Sequence, residues 1–301
     1  MSDQQSLWVS LSSGDLTAEV SPLGAQLSSL RDRAGRDLLW DGDPSVWSGR
    51  APLLFPIIGT LAGGGYRLGS KIYQLPRHGF ARGKLFDIVE TTSASAAFRL
   101  KADEASFQVY PFRFELEVHF ALDGPTLTVA TYVRNTGGED MPASFGYHPA
   151  FRWPLPFGRT RSSHFIEFES EEPAPIRRLN ANGLLTPERH PTPVARRRLE
   201  LADTLFQDDV IIFDEIRSRS VTYGADDGPR IRVSLPDMPL FGLWTKPRAN
   251  FICIEPWHGI ADPDGFSGDF KTKPGVFMVA PGAALPMTMA ITLLTPDANT
   301  R

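Results

Sequence analysis

The sequence holds a single cysteine, Cys253, so no disulfide can close within the chain and nothing marks an oxidising compartment. That cysteine sits in Phe251-Ile252-Cys253-Ile254, an apolar run that reads as a strand, where a thiol behaves as a small hydrophobe. No apolar stretch is long enough to span a bilayer, and Met1-Ser2-Asp3-Gln4-Gln5 lacks the basic-then-apolar pattern of a leader. Cytoplasm is therefore the expected location, without a membrane partner. An excess of one charge is missing too: the formal net charge is -4, the isoelectric point is about 5.9, and the basic residues are scattered apart from Arg196-Arg197-Arg198. This excludes nucleic acid as an expected partner, and the arginine run reads as a solvated strand or loop face.

Cofactor and nucleophile motifs are absent as well. Ala62-Gly63-Gly64-Gly65 lacks the Lys-Ser/Thr ending of a phosphate loop and reads as a hairpin turn. Asp262-Pro263-Asp264-Gly265 has a proline inside and no closing glutamate, so a turn is expected rather than a calcium loop. No serine stands in a Gly-x-Ser-x-Gly setting. His119, His164, His190 and His258 show no metal-ligand spacing with one another or with Cys253, and no metal site is inferred.

What is present is a β pattern over 301 residues, enough for a large core. Proline and glycine punctuate short segments in which every second residue is apolar. Leu7-Trp8-Val9-Ser10-Leu11 and Leu16 to Val20 flank Ser12-Ser13-Gly14-Asp15 as a hairpin. Phe112 to Phe120 and Thr126 to Val133 flank the turn Leu122-Asp123-Gly124-Pro125. Helical periodicity is scarce, and its best short stretch, Leu201 to Phe206, is too brief for a helical layer. The proline-rich and charged stretch from Glu171 to Pro193 reads as loop or edge structure, not a linker, because chemically rich segments lie on both sides of it. One all-β domain over residues 1–301, a large antiparallel β-sandwich with strands continuing to Leu294, is the expected architecture.

Three segments mix proton donors, proton acceptors and aromatic faces: His78-Gly79-Phe80-Ala81-Arg82, Gly146-Tyr147-His148-Pro149-Ala150-Phe151 and Glu255-Pro256-Trp257-His258-Gly259. A sugar site needs such a mixture, with flat apolar walls for C–H faces and an acid and a base for proton transfer. Glu255, at the end of a buried strand, is either a desolvated general base or half of a strand-end ion pair. His148, among aromatics and prolines, is either a proton donor or a structural histidine. The His78 ring would hydrogen-bond a sugar hydroxyl or steady an intermediate. Arg50 and Arg82 would each orient oxygens of a substrate or pair with a structural carboxylate.

Taken in order, these segments resemble the aldose 1-epimerase (galactose mutarotase) family, and its LacX-like branch in particular. The resemblance also draws on Gly24-Ala25-Gln26-Leu27, Leu39-Trp40, Arg50 through Gly59, Asp208-Asp209-Val210-Ile211-Ile212-Phe213 and Cys253 through Asp262. It implies a β-sandwich with a sugar in a cleft on one sheet, and interconversion of α and β anomers without metal, nucleotide or other cofactor. By carry-over, Glu255 would take the proton from the anomeric O1 hydroxyl and His148 would protonate the ring oxygen. His78 would hydrogen-bond the ring oxygen or a neighbouring hydroxyl, and Arg50 and Asp209 would hold further hydroxyls. Strand alternation sends Asp208 and Asp209 to opposite faces, so one of them is expected to line the site. The resemblance further implies an ionised Glu255 beside a protonated His148 and a bell-shaped pH dependence. Three rival readings remain: a mutarotase for hexose 6-phosphates, a non-catalytic carbohydrate-binding protein, and a glycoside hydrolase using Asp209 with Glu255.

Overall fold

The computed structural model describes residues 8–296, so Leu7 of the first expected strand and both chain ends lie outside the described residues. Nearly all regular structure is antiparallel β. A nine-stranded back sheet runs in the order Arg198–Glu200, His164–Phe168, Ser220–Ala225, Arg230–Ser234, Ala284–Leu294, Thr126–Asn135, Phe114–Asp123, Ser95–Lys101, Asp87–Thr91. A six-stranded cleft sheet runs Ile211–Phe213, Leu240–Trp244, Phe251–His258, Phe145–Tyr147, Leu53–Leu54, with Ala150–Arg152 pairing on the far half of Phe251–His258. A three-stranded sheet, Val9–Ser12, Leu16–Ser21 and Gln26–Asp32, completes the larger layers.

Period-two patterning makes these strands. Along Phe114–Asp123 the residues Phe114, Leu116, Val118, Phe120 and Leu122 are buried, and Leu127, Val129 and Val133 of the next strand are buried opposite Leu122, Phe120 and Leu116. Each cross-strand pair puts two apolar side chains on the same face, which holds the register against a one-residue slip. The strand Ala284–Leu294 closes the sheet between Thr126–Asn135 and Arg230–Ser234, so late sequence sits between early and middle sequence.

Four local expectations come out differently or more sharply. The Ala62–Gly64 stretch is a single 3-10 turn leading into the hairpin Gly65–Leu68 with Lys71–Gln74, whose own turn lies at Gly69-Ser70. Glu104–Val109 is a short α-helix that the scarcity of helical periodicity concealed. Its signal was Asp103, whose carboxylate accepts from Ser106 N–H at 2.6 Å while Ser106 Oγ accepts from Asp103 N–H at 2.8 Å, a reciprocal cap. Leu201 to Phe206 supplies a 3-10 turn at Asp203–Phe206. The arginine run is solvated, with Arg196 on Glu171, Arg197 on Glu167 and Arg198 on Glu200 and Asp226. No helix among the described residues is long and apolar enough to cross a membrane.

The strand Phe251–His258 decides where chemistry sits. Its even residues Ile252 and Ile254 join the main core, while Phe251, Cys253, Glu255 and Trp257 face the other way. Glycine makes room there. A Cβ on Gly146 or on Gly242 would stand 2.7 Å from the Trp257 indole, so both neighbouring strands must lack one for the ring to lie on the sheet.

Candidate active site

A cavity of about 260 Å³ opens over the cleft sheet, walled by three tryptophans (Trp47, Trp244, Trp257), by His78, His148 and Glu255, and by Arg77, Arg82 and Lys246. Leu179, from the irregular Glu171 to Pro193 stretch, forms part of the wall. The volume suits one small ligand, not a long chain.

His148 stands between the short strands Phe145–Tyr147 and Ala150–Arg152. Its backbone neighbourhood is tied at three points: Ile254 N–H to Pro149 C=O at 3.2 Å, Ala150 N–H to Arg50 C=O at 2.8 Å, and Trp40 N–H to Ala150 C=O at 2.9 Å. Trp47 stacks on its ring at 5.2 Å and Trp244 meets it edge-on at 5.8 Å. The aromatic clamp fixes the ring with Nε2 3.2 Å from Oε2 of Glu255. The contact is close but off hydrogen-bond alignment, which leaves Oε2, together with Nδ1 of His148 and Nε1 of Trp257, buried and unpartnered among the described residues. Buried polar atoms without partners carry a desolvation cost, and a ligand that supplies partners recovers it.

Burial sets the protonation of the pair. It pushes Glu255 well above the ordinary carboxylate range, with the charge of Asp209 adding to the rise, and pushes His148 down to about 3, with Arg77 and Arg82 adding to the fall. Both shifts favour the uncharged form of each group. Both run against the charge state expected for the pair, an ionised Glu255 beside a protonated His148. The proton count is the same, but desolvation favours the uncharged arrangement.

His78 occupies a left-handed backbone position, φ 67°, held by its N–H to Gly59 C=O at 2.9 Å. Gly79 follows at φ 72°, where a Cβ would lie 2.2 Å from the Phe55 carbonyl oxygen, so only glycine fits after the histidine. Nδ1 of His78 accepts from Gly59 N–H at 3.1 Å. A neutral imidazole has one acceptor nitrogen, so this contact and the one Arg77 makes to Nε2 compete for it. Burial and the charges of His148, Arg77 and Arg82 keep the ring neutral. Arg77 Nε–H donates to Nε2 of His78 at 3.2 Å, and both side chains line the cavity.

The remaining sequence candidates divide. Arg82 lines the cavity and donates to Arg77 C=O at 2.9 Å. Arg50 does not line it: its guanidinium donates to Ser28 C=O at 2.7 Å and lies over the Trp8 ring, and only its carbonyl serves the His148 segment. Asp209 is half-buried beside the cavity without walling it, near enough to act on Glu255 by charge. Neither Asp208 nor Asp209 is in a strand. They lie in a bend before Ile211–Phe213, with Asp209 at φ 63°, so the alternation argument does not apply to them. Trp47, Trp244 and Arg77 were missed. Arg77 adjoins His78, but nothing in the sequence aims a side chain from a loop. The fold also brings His148, Cys253 and Glu255 together, with one donor atom of each within 4.8 Å of the others.

A sequence profile described as aldose 1-epimerase matches residues 8–266. The chain belongs to the aldose 1-epimerase family. This family member is similar to the chromosomal LacX protein of Lactococcus lactis subsp. lactis, with 34% identity over 289 residues, covering 93% of this chain and 97% of that one. Its fold is similar to that of a galactose mutarotase related enzyme from Lactobacillus acidophilus, at a TM-score of 0.88 and 30% identity over 96% of this chain and 98% of the other. A galactose mutarotase-like protein from Lactobacillus casei superposes at a TM-score of 0.89 with 26% identity, over 95% and 100% of the two chains. The antiparallel sandwich expected from the alternating strands, and the family fold implied by the resemblance, are thus the observed fold.

Proposed function

We propose that this protein is an aldose 1-epimerase that interconverts the α and β anomers of a monosaccharide, with Glu255 as base, His148 as acid and His78 as a donor to a sugar oxygen. The observation that carries the reading is the His148–Glu255 contact of 3.2 Å, clamped by tryptophans, facing a cavity of single-sugar size and left without full hydrogen bonding. Contacts of this kind tighten when the substrate arrives between the groups.

The proton balance closes. With the shared proton on His148, Glu255 takes the O1 proton while Nε2 of His148 delivers its own to O5. The C1–O5 bond breaks as the C1–O1 carbonyl forms. That step moves the pair from charged to uncharged, the state burial favours, so the site stabilises the open-chain aldehyde. Rotation about C1–C2 and reversal of the transfers close the ring on the other face.

Among the described residues Glu255 is the one carboxylate in the cavity wall, which leaves the two-carboxylate chemistry of a glycoside hydrolase without its second member. Arg77, Arg82 and Lys246 in the same wall favour a second form of the reading, an aldose carrying a phosphate or other anionic group. Optical rotation of fresh α-D-glucose, α-D-galactose and glucose 6-phosphate, with the protein and with Glu255→Gln at low and high salt, tests both. Acceleration that the variant loses supports the epimerase, and a salt-sensitive preference for the phosphate supports the anionic substrate. Sugar binding without acceleration by the unaltered protein would overturn the catalytic reading in favour of a binding role.

A further inference from the structure

Cys253 has no part in the anomer exchange derived above, yet its side chain lies on the same strand face as Glu255, two residues back, and is fully buried. One donor atom each from His148, Cys253 and Glu255 falls within 4.8 Å of the others. Oε2 of Glu255, on a side chain 1% exposed, has no hydrogen-bond partner and belongs to the same cluster. We infer that this cluster is a binding site for a thiophilic divalent cation such as Zn²⁺, and that its occupancy blocks the acid–base pair.

Imidazole, thiolate and carboxylate form one of the ligand sets that zinc takes, leaving a fourth position toward the cavity. Donor atoms around tetrahedral zinc stand roughly 3.3–3.8 Å apart, given bonds of about 2.0 Å to nitrogen or oxygen and 2.3 Å to sulfur. The imidazole–carboxylate separation, 3.2 Å, already suits that geometry. The thiol, within 4.8 Å of the other donors, has to close by about 1 Å. A cation entering from the cavity meets His148 and Glu255 first, because both line it and Cys253 does not. On binding, the thiol proton and the proton shared by the pair pass to solvent.

The site is built for reversible capture, not for a resident metal. Nδ1 of His148 has no hydrogen-bond partner to brace the ring as a ligand, and outer-shell support of that kind is worth about 10–100-fold in affinity. The inhibitory consequence rests on the epimerase reading, whereas the binding itself does not, and the experiment separates the two. Co²⁺ is titrated into the purified protein while the near-ultraviolet thiolate-to-cobalt charge-transfer band is followed, and Zn²⁺ is then used to displace it.

One cation per chain with that band is expected. The band should be absent from Cys253→Ser, and affinity should fall at least about tenfold in both Cys253→Ser and Glu255→Gln, each ligand being worth no less than an outer-shell partner. If Cys253→Ser fails to fold, Glu255→Gln alone carries the test, since it keeps the thiol and removes one ligand. Where mutarotation is present, Zn²⁺ should suppress it, and Cys253→Ser, compared with its own metal-free rate, should need at least about tenfold more zinc. No band in the unaltered protein, or zinc sensitivity that Cys253→Ser leaves unmoved, overturns the inference.

Discussion

Two buried acid–base pairs lie on either side of the segment that follows the strand Phe251–His258, and they are held in different ways. In the cleft, His148 and Glu255 face each other at 3.2 Å, with side chains 9% and 1% exposed. Beneath the following loop, Lys273 and Asp262 stand 2.8 Å apart, with side chains 1% and 5% exposed. Asp262 is sewn into the backbone: its other oxygen accepts from Ala62 N–H at 2.9 Å, its N–H donates to Thr60 C=O at 3.0 Å, and its carbonyl accepts from Leu185 N–H at 2.8 Å. Both pairs line a cavity, but the Glu255 carboxylate has no comparable anchoring to the backbone. Equal burial therefore has two outcomes. The carboxylate of Asp262 is stitched to the chain and fastens the loop that carries Gly59 and its bond to His78, while that of Glu255 accepts no backbone bond.

The comparison breaks most sharply if the two pairs are disabled in turn. Glu255→Gln should lower kcat for anomer exchange by about 10²–10⁴-fold, the range of general acid–base contributions, with the midpoint of chemical denaturation unmoved. Polarimetry and a denaturation curve on the same preparation check both halves. Lys273→Met should show the reverse emphasis. Removing one member of a buried ion pair leaves Asp262 uncompensated and costs about 3–5 kcal/mol of stability, read as a lower denaturation midpoint at unchanged slope. A loss near that of a surface substitution would show that the Lys273 pair is not the anchor described.

The pH profile sharpens the comparison further. Burial pushes His148 down to about 3 and Glu255 well above its ordinary range, which widens the interval over which the pair keeps one proton. Activity should form a plateau from mildly acidic through neutral pH and fall on the alkaline side. Ordinary values for the two groups would confine it to the interval between about 4.3 and 6.5. A narrow bell within that interval, measured in overlapping buffers, would mean that the pair is solvated. Trp47→Ala removes the ring stacked on His148 and should lower kcat by about 2–10-fold, the equivalent of an aromatic contact of about 0.5–1.5 kcal/mol. Arg50→Met should have the smallest effect, within about twofold on kcat, because its guanidinium is outside the cavity and surface changes stay within about 0.5 kcal/mol.

Legibility in the sequence followed the range of the physics. The hairpin from Phe114 to Asn135 was readable because its alternation is local and its register is set by facing apolar pairs. Glu255, His148 and His78 were readable as residue types in segments that resemble a family, and the fold gathers them around one cavity. Arg50 was misplaced and Arg77 overlooked for the same reason. A long guanidinium reaches several ångströms, and its direction is set by what packs around it: Ser28 C=O and Trp8 for one, the His78 loop for the other. Asp209 escaped the strand rule because the chain bends through positive φ before the strand begins.

By itself the sequence determined the antiparallel β class, since a two-residue period can bury one face only in sheets, and it determined which side chains were on hand for proton transfer. The tertiary structure alone decided that burial opposes charge on both Glu255 and His148, that Cys253 adjoins them, and that Arg50 does not line their cavity. Proton affinity and metal-ligand geometry depend on desolvation and on distances of a few ångströms between residues remote in the chain, and those exist only once the sheets have closed.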